Sequence, residues 1–175
     1  MISDIFKIET KNLFLVPLPL DYLKKCLNGR RTMEEALGLN PVGIPLECET
    51  KETMDALNNM ISLVESNLNF EKWFTNWEFV LKDKNRIIGG GAFYGSPNLD
   101  NGFVSEIAYI IQNDFRNLGY GSEAVQAMSS WGLQNGAEEI IALIEDYNIS
   151  SQKLIEKCGF IIDKRENGIL TYKKR

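Results

Sequence analysis

Phe103-Val104-Ser105-Glu106-Ile107-Ala108-Tyr109-Ile110-Ile111 passes through Gln112-Asn113-Asp114-Phe115 into Arg116-Asn117-Leu118-Gly119-Tyr120-Gly121-Ser122-Glu123-Ala124. The first nine residues are rich in Val, Ile, Phe and Tyr and read as a strand. Beyond Gly119, the residues Tyr120, Ala124, Ala127, Met128 and Trp131 recur at the spacing of one helix face. A loop without bulky side chains at a helix start leaves backbone N–H groups pointing outward, at the positive end of the helix dipole. Phosphate or pyrophosphate suits such a place. The glycines let the backbone approach an anion, and Arg116 adds a donor of fixed charge.

Two other accounts of the same glycines stand beside this one. Gly119-x-Gly121-x-x-Ala124 fits a dinucleotide fingerprint, with Glu145 or Asp146 as the ribose-binding acid. That motif requires the strand to run almost directly into the first glycine, inside a βαβ unit. Here the seven residues Gln112 to Leu118 intervene, and the region before them reads as antiparallel hairpins. The third account is a purely structural helix start.

Composition narrows the chemistry. The chain has 175 residues, 44% hydrophobic and 25% charged, which suits one globular domain spanning residues 1–175. No apolar stretch approaches the roughly 20 residues of a membrane span. The start, Met1-Ile2-Ser3-Asp4-Ile5-Phe6-Lys7, lacks a basic region followed by an apolar block, so a cytoplasmic location is expected. Histidine is absent, which removes Ser-His-Asp and Cys-His nucleophilic schemes and argues against a zinc site. Cys26, Cys48 and Cys158 are odd in number and far apart, so neither a disulfide framework nor a metal pair is expected. A net charge of −5, with basic residues bunched only at Lys173-Lys174-Arg175, argues against nucleic-acid binding and suits a cationic acceptor such as an amine.

The rest of the chain reads as a mixed α+β domain with a mainly antiparallel sheet. Asn12 to Val16 is a strand, and Pro19 starts a helix that ends at Asn28-Gly29. Gly38 to Glu49 is a loop, and a second helix begins near Thr50 with Met54, Leu57, Met60, Ile61 and Val64 on one face. Trp77 to Leu81 and Arg86 to Tyr94 form a hairpin about Lys82-Asp83-Lys84-Asn85, and Gly95 to Gly102 leads to the Phe103–Ile111 strand. The glycine-loop helix ends near Asn135-Gly136. Glu139 to Ile144 is a buried strand, and Ser151 to Cys158 is a helix closed by Gly159 and Phe160. Asn167-Gly168 marks a tight hairpin. About seven strands and about four helices result.

Arg116-x-x-Gly119-x-Gly121 resembles the pyrophosphate-binding signature of the GCN5-related N-acetyltransferases (GNAT). Ile8 to Leu15 resembles the opening strand of the branch that includes the ribosomal-protein N-terminal acetyltransferases. Asn148-Ile149-Ser150-Ser151, followed by Leu154, Lys157 and Gly159-Phe160, is similar to that branch's second motif. The resemblance implies a GNAT-like fold in which Phe103–Ile111 and Glu139–Ile144 part at one end to hold acetyl-CoA. It implies that the backbone of Tyr109, Ile110 and Ile111 faces the pantetheine and thioester. By the same resemblance, the amides of Asn117, Leu118, Gly119, Tyr120, Gly121 and Ser122 hold the pyrophosphate, and Asn148 contacts the pantetheine or caps a helix. Gly121→Glu is then expected to abolish acetyl-CoA binding while leaving the protein folded.

The chemistry implied is acetyl transfer to an amine by direct attack in a ternary complex. An aliphatic amine is largely protonated at neutral pH, so a general base is useful. Glu106 is the candidate: it shares a strand face with Val104, Ala108 and Ile110, an otherwise apolar set. A solvated or ion-paired glutamate is the other reading. Many family members place a tyrosine seven residues after the motif asparagine to protonate the leaving thiolate; this chain has Ile155 there. Ser151 is the nearest substitute and Tyr147 a second, although Ser151 also suits a helix N-terminus. Lys153 and Lys157 suit either the nucleotide 3′-phosphate or a solvated helix face.

The acceptor expected is a protein N-terminus, a polyamine, an amino sugar or antibiotic, or another small amine. No metal, nucleic acid or membrane partner is expected, and exposed strand edges suit a homodimer. A non-catalytic acyl-CoA-binding module, sensing its ligand or acting through partners, is the alternative.

Overall fold

The computed structural model describes residues 1–42, 50–95 and 103–175. Cys48 and most of the two expected loops, Gly38–Glu49 and Gly95–Gly102, lie outside the described residues. Among those described there are eight strands and six α-helices, one strand and two helices more than expected. The chain separates into two compact units, Met1–Gly90 and Gly91–Arg175.

In the first unit, β1 (Ile8–Glu9) and β2 (Leu13–Pro17) pair antiparallel, with Ile8 opposite Leu15. The single opening strand expected over Ile8–Leu15 is therefore a hairpin. Thr10 makes it turn: its N–H donates to the Leu13 carbonyl at 2.9 Å, and its hydroxyl oxygen accepts from the Leu13 N–H at 3.0 Å. A side chain that bonds the backbone three residues ahead competes successfully with continued strand. β2 then pairs antiparallel with β3 (Asn76–Leu81), and β4 (Arg86–Tyr94) begins in this unit.

Four helices cover this unit: α1 (Leu20–Cys26), α2 (Arg30–Ala36), α3 (Lys51–Ser66) and α4 (Glu71–Phe74). Thr50 caps α3 by accepting from the Thr53 N–H at 3.2 Å. Val16, Leu23, Met33, Leu37, Ile61 and Val64 meet in the core. Two carboxylates are buried beside it. Glu78 pairs with the Arg30 guanidinium, whose Nε stands 3.5 Å from Glu34. Charges taken from water in this way persist only when paired.

The second unit contains β5 (Phe103–Ile111), α5 (Tyr120–Gln134), β6 (Ala137–Glu145), α6 (Ile149–Lys157), β7 (Ile161–Glu166) and β8 (Ile169–Lys174). Its strand order is β5-β6-β8-β7. β5 and β6 are parallel, joined by α5, whereas β6–β8 and β7–β8 are antiparallel. Asn167 and Gly168 both have positive φ, 50° and 77°, as a two-residue hairpin of this hand requires.

The buried stripe of α5 consists of Gly121, Ala124, Val125, Met128, Ser129 and Gly132. It is rotated by about one residue from the face expected through Tyr120 and Trp131. The cause is close packing at two glycines. A Cβ at Gly132 would stand 2.8 Å from the Ile140 Cδ1 and 3.3 Å from the Phe93 ring. Hydrophobic periodicity gives glycine no weight, so the true axis of this face escapes it.

Candidate active site

The β5–β6 ladder runs from Phe103 opposite Ala137 to Glu106 opposite Ile141, and there it stops. β5 continues to Ile111 and β6 to Glu145, while β6 keeps its antiparallel pairing with β8 as far as Glu145 opposite Ile169. The parallel pair thus forks beyond Glu106 and Ile141. A cleft of about 160 Å³ lies at the fork, with Glu106, Tyr109, Leu143, Glu145, Asn148 and Ser151 among its walls. Backbone groups in the forked segment are not paired across it, which leaves the inner edges of both strands available to a ligand.

Glu106 sits at the fork, half-buried. Burial pushes its carboxyl above the ordinary glutamate value. On its strand face Val104 and Ile110 are exposed, while Phe103, Ser105 and Ile107 on the opposite face are buried. The alternation read from sequence therefore matches the structure: Glu106 lies on the open face.

From Ile111 the chain makes a single 3₁₀ turn, Asn113–Phe115, before α5. Asn117 and Gly119 adopt left-handed φ, 61° and 88°. Gly119 is the N-cap residue and has no side chain to cap with. The first bond of the helix is from the Glu123 N–H to the Gly119 carbonyl at 3.0 Å. The N–H groups of Tyr120, Gly121 and Ser122 precede that bond, the arrangement an anion requires.

The two motif glycines have different roles. A Cβ at Gly119 would meet nothing within 4 Å, so its demand is conformational. Gly121 is buried, and a Cβ there would come within 2.7 Å of the Leu154 Cδ1 and 3.5 Å of the Ile111 Cγ1. Gly121 therefore packs the start of α5 onto α6 and β5. A side chain at Gly121 must displace the flexible end of Leu154, so Gly121→Glu bears on packing as well as on the approach of a phosphate. Cys158 ties the same two helices, its Sγ lying 3.4 Å from the Ser122 carbonyl.

Arg116 is exposed, and its Nε donates to the Ile111 carbonyl at 2.9 Å. One face of the guanidinium thus holds the loop against the strand end. Asn148 caps α6, its Oδ1 accepting from the Ser151 N–H at 3.2 Å and from the Ser150 hydroxyl at 3.0 Å. The capping alternative for Asn148 is the one observed, and its side chain also borders the cleft.

Ser151 is not the capping group. Its Oγ lies 2.7 Å from the Tyr109 hydroxyl, joining α6 to β5. Ile155 is fully buried, so the helix position of the family tyrosine faces the core. Tyr147 is 76% exposed, and its phenol is pushed up chiefly by the neighbouring Glu145 carboxylate. Lys153 and Lys157 are both exposed. The group that the sequence does not reveal is the side chain of Tyr109, since the family resemblance concerns only its backbone. Its partner lies 42 residues away, and no local pattern announces such a contact.

The parallel pair thus forks ahead of a helix that opens on glycine, with the cleft at the fork. A family model described as an acetyltransferase (GNAT) domain matches residues 21–161, and the chain belongs to that family. It is therefore an acetyltransferase by family, and acetyl-CoA is the acetyl donor that this family uses. The chain is 30% identical over 159 residues to the uncharacterized N-acetyltransferase YjdG of Bacillus subtilis (strain 168), covering 90% of this chain and 91% of the other. Its fold is similar to the ribosomal-protein-S5-alanine acetyltransferase of Vibrio fischeri, with a TM-score of 0.64, 17% identity, and coverage of 97% and 96%. It is also similar to RimL, a ribosomal L7/L12 alpha-N-protein acetyltransferase solved in complex with coenzyme A, with a TM-score of 0.64, 14% identity and 97% coverage of both chains. The βαβ unit asked for by the dinucleotide fingerprint is present as β5-α5-β6, but the 3₁₀ turn Asn113–Phe115 separates the strand from the first glycine. Among the described residues no cluster of three or more Cys, Asp or Glu side chains is arranged for a metal, and no helix is long and apolar enough to cross a membrane.

Proposed function

We propose that this protein transfers the acetyl group of acetyl-CoA to a primary amine, on a protein N-terminus or a small molecule, by direct attack in a ternary complex. The observation that carries the reading is the fork of β5 and β6 at Glu106 and Ile141, with a half-buried carboxylate at its apex. The glycine-opened start of α5 supports pyrophosphate binding by the amides of Asn117 to Ser122, with Arg116 nearby. The stretch of β5 beyond its ladder with β6, over Tyr109, Ile110 and Ile111, suits a pantetheine arm and a polarised carbonyl. Asn148, among the walls of the cleft, contributes its amide beside its capping role.

Glu106 acts as the base. Burial raises its pKa above the ordinary glutamate value, which brings it closer to that of the amine proton it removes. Positioning of the two reactants supplies much of the remaining rate, and no covalent intermediate on the protein is needed. Proton supply to the leaving sulfur falls to the hydroxyls around Ser151. The acidic net charge favours a cationic amine over an anionic one.

The test is thiol release from acetyl-CoA in the presence of polyamines, amino sugars and peptides with free N-termini. Release that depends on one amine class and disappears in Glu106→Gln supports the reading. Tight acetyl-CoA binding with no release across the whole panel identifies a non-catalytic acyl-CoA sensor instead.

A further inference from the structure

Two hydroxyl groups meet at the fork, and general chemistry ranks them. The Tyr109 hydroxyl and Ser151 Oγ are 2.7 Å apart, both residues border the cleft, and either oxygen can be the donor in their hydrogen bond. A phenol, with an ordinary pKa of about 10, is a far stronger acid than an aliphatic alcohol. Glu106 and Tyr109 are three residues apart on one strand, so alternation sends their side chains to opposite faces of β5. The cleft at the fork is therefore bordered by a carboxylate from one face of the strand and a phenol from the other.

We infer that Tyr109 is the proton donor to the departing coenzyme A sulfur, and that Ser151 positions it by donating its own hydroxyl hydrogen to the phenolic oxygen. This inference rests on the acetyl-transfer reading above and assigns a catalytic residue within it. The amine enters as the ammonium and loses one proton to water; as its nitrogen then bonds to the acetyl carbon, it gives a second N–H proton to Glu106. When the C–S bond breaks, its electron pair stays on sulfur, and the Tyr109 O–H proton passes to that sulfur. Exchange with water then takes the proton from Glu106 and returns one to Tyr109. No other reactant is required.

Burial pushes the Tyr109 phenol up, against a smaller opposing effect of its bond to Ser151, so it carries its proton throughout the neutral range. The arrangement also explains how a buried Ile155 is tolerated on α6. The hydroxyl comes from the facing strand, and the helix contributes the serine that holds it.

A readout independent of turnover is the thiol of bound coenzyme A, titrated by its thiolate absorbance. A hydrogen bond from Tyr109 to sulfur favours the thiolate, so the bound thiol should titrate about one pH unit lower in wild type than in Tyr109→Phe. Ser151→Ala should fall between the two. Equal titration in wild type and Tyr109→Phe with coenzyme A bound overturns the inference and leaves the acetyl-transfer reading intact. Loss of coenzyme A binding in Tyr109→Phe alone makes the hydroxyl a binding group and overturns the donor role. Failure of wild type to bind coenzyme A sinks the acetyl-transfer reading and the inference together.

Discussion

Gly121 and Leu154 are packed so closely that a Cβ on the glycine would stand 2.7 Å from the leucine Cδ1. The contact sets the start of α5 close against the Leu154 side chain of α6. A site usually read as a matter of backbone access to phosphate is also a matter of helix packing.

Gly121→Val should destabilise the protein by about 2 kcal/mol, the usual cost of overfilling a packed position. Leu154→Ala in the same chain should recover part of that loss, because it removes the atom in conflict. Chemical denaturation of the two single variants and the double variant measures the coupling. Simple addition of the two losses would show that the contact is not what demands the glycine.

Ser122→Glu separates anion binding from folding. An acidic side chain in the first turn of α5 favours the helix dipole by roughly 0.3–1 kcal/mol, so thermal stability should hold or rise. The same charge opposes a phosphate, and affinity for acetyl-CoA should fall at least about tenfold. Unchanged affinity would place the pyrophosphate elsewhere.

Asn148 can be divided by two substitutions. Asp caps a helix as well as Asn does, whereas Ala costs about 1 kcal/mol. Asn148→Asp should therefore keep full stability and weaken acetyl-CoA binding, and Asn148→Ala should lose both. If only Ala has an effect, and only on stability, the side chain is a cap alone.

The pH dependence follows from Glu106. Burial raises its folded-state pKa above 4.5, so the base form is lost as pH falls through that higher value. The acid limb of kcat/KM should lie above the ordinary glutamate range and vanish in Glu106→Gln, with a loss of about 10²–10⁴-fold in rate. The same shift makes its protonated form the one that favours folding, so its contribution to stability is full below 4.5 and lost as pH rises through the folded value. An acid limb that persists in the variant belongs to another group.

Burial of the Cys26 thiol pushes it up to about 11, with the nearby Glu78 carboxylate adding to the shift. At pH 8 only about one thiol in a thousand is then ionised, so alkylation should be on the order of a hundredfold slower than for a free cysteine. Mass spectrometry after iodoacetamide treatment, in a Cys48→Ser background, checks this. Rapid labelling at Cys26 would contradict the packing of α1 against its neighbours.

Strong local signals decided what the sequence could tell. β4 and β5 begin and end where the alternation placed them, and the Asn167-Gly168 turn has the positive φ values its residues favour. Thr50 and Asn148 cap helices, as their residue types allow. α2 and α4 have no clear signal in the sequence, because Arg30–Ala36 offers little apolar periodicity and Glu71–Phe74 is a single turn. The hairpin at Thr10 is decided by one side chain against an otherwise continuous strand pattern. In the site, the fork lies where family resemblance implied it, while Tyr109 and Ser151 meet only through tertiary structure. Periodicity records which face a residue takes, but not what it meets there.

The most direct test is a calorimetric titration of the protein with acetyl-CoA, followed by NAD under the same conditions. Micromolar binding of acetyl-CoA with no response to NAD is the result predicted by a fork and helix start built for an acyl-CoA. Binding of NAD alone would assign the glycine loop to a dinucleotide and contradict the account.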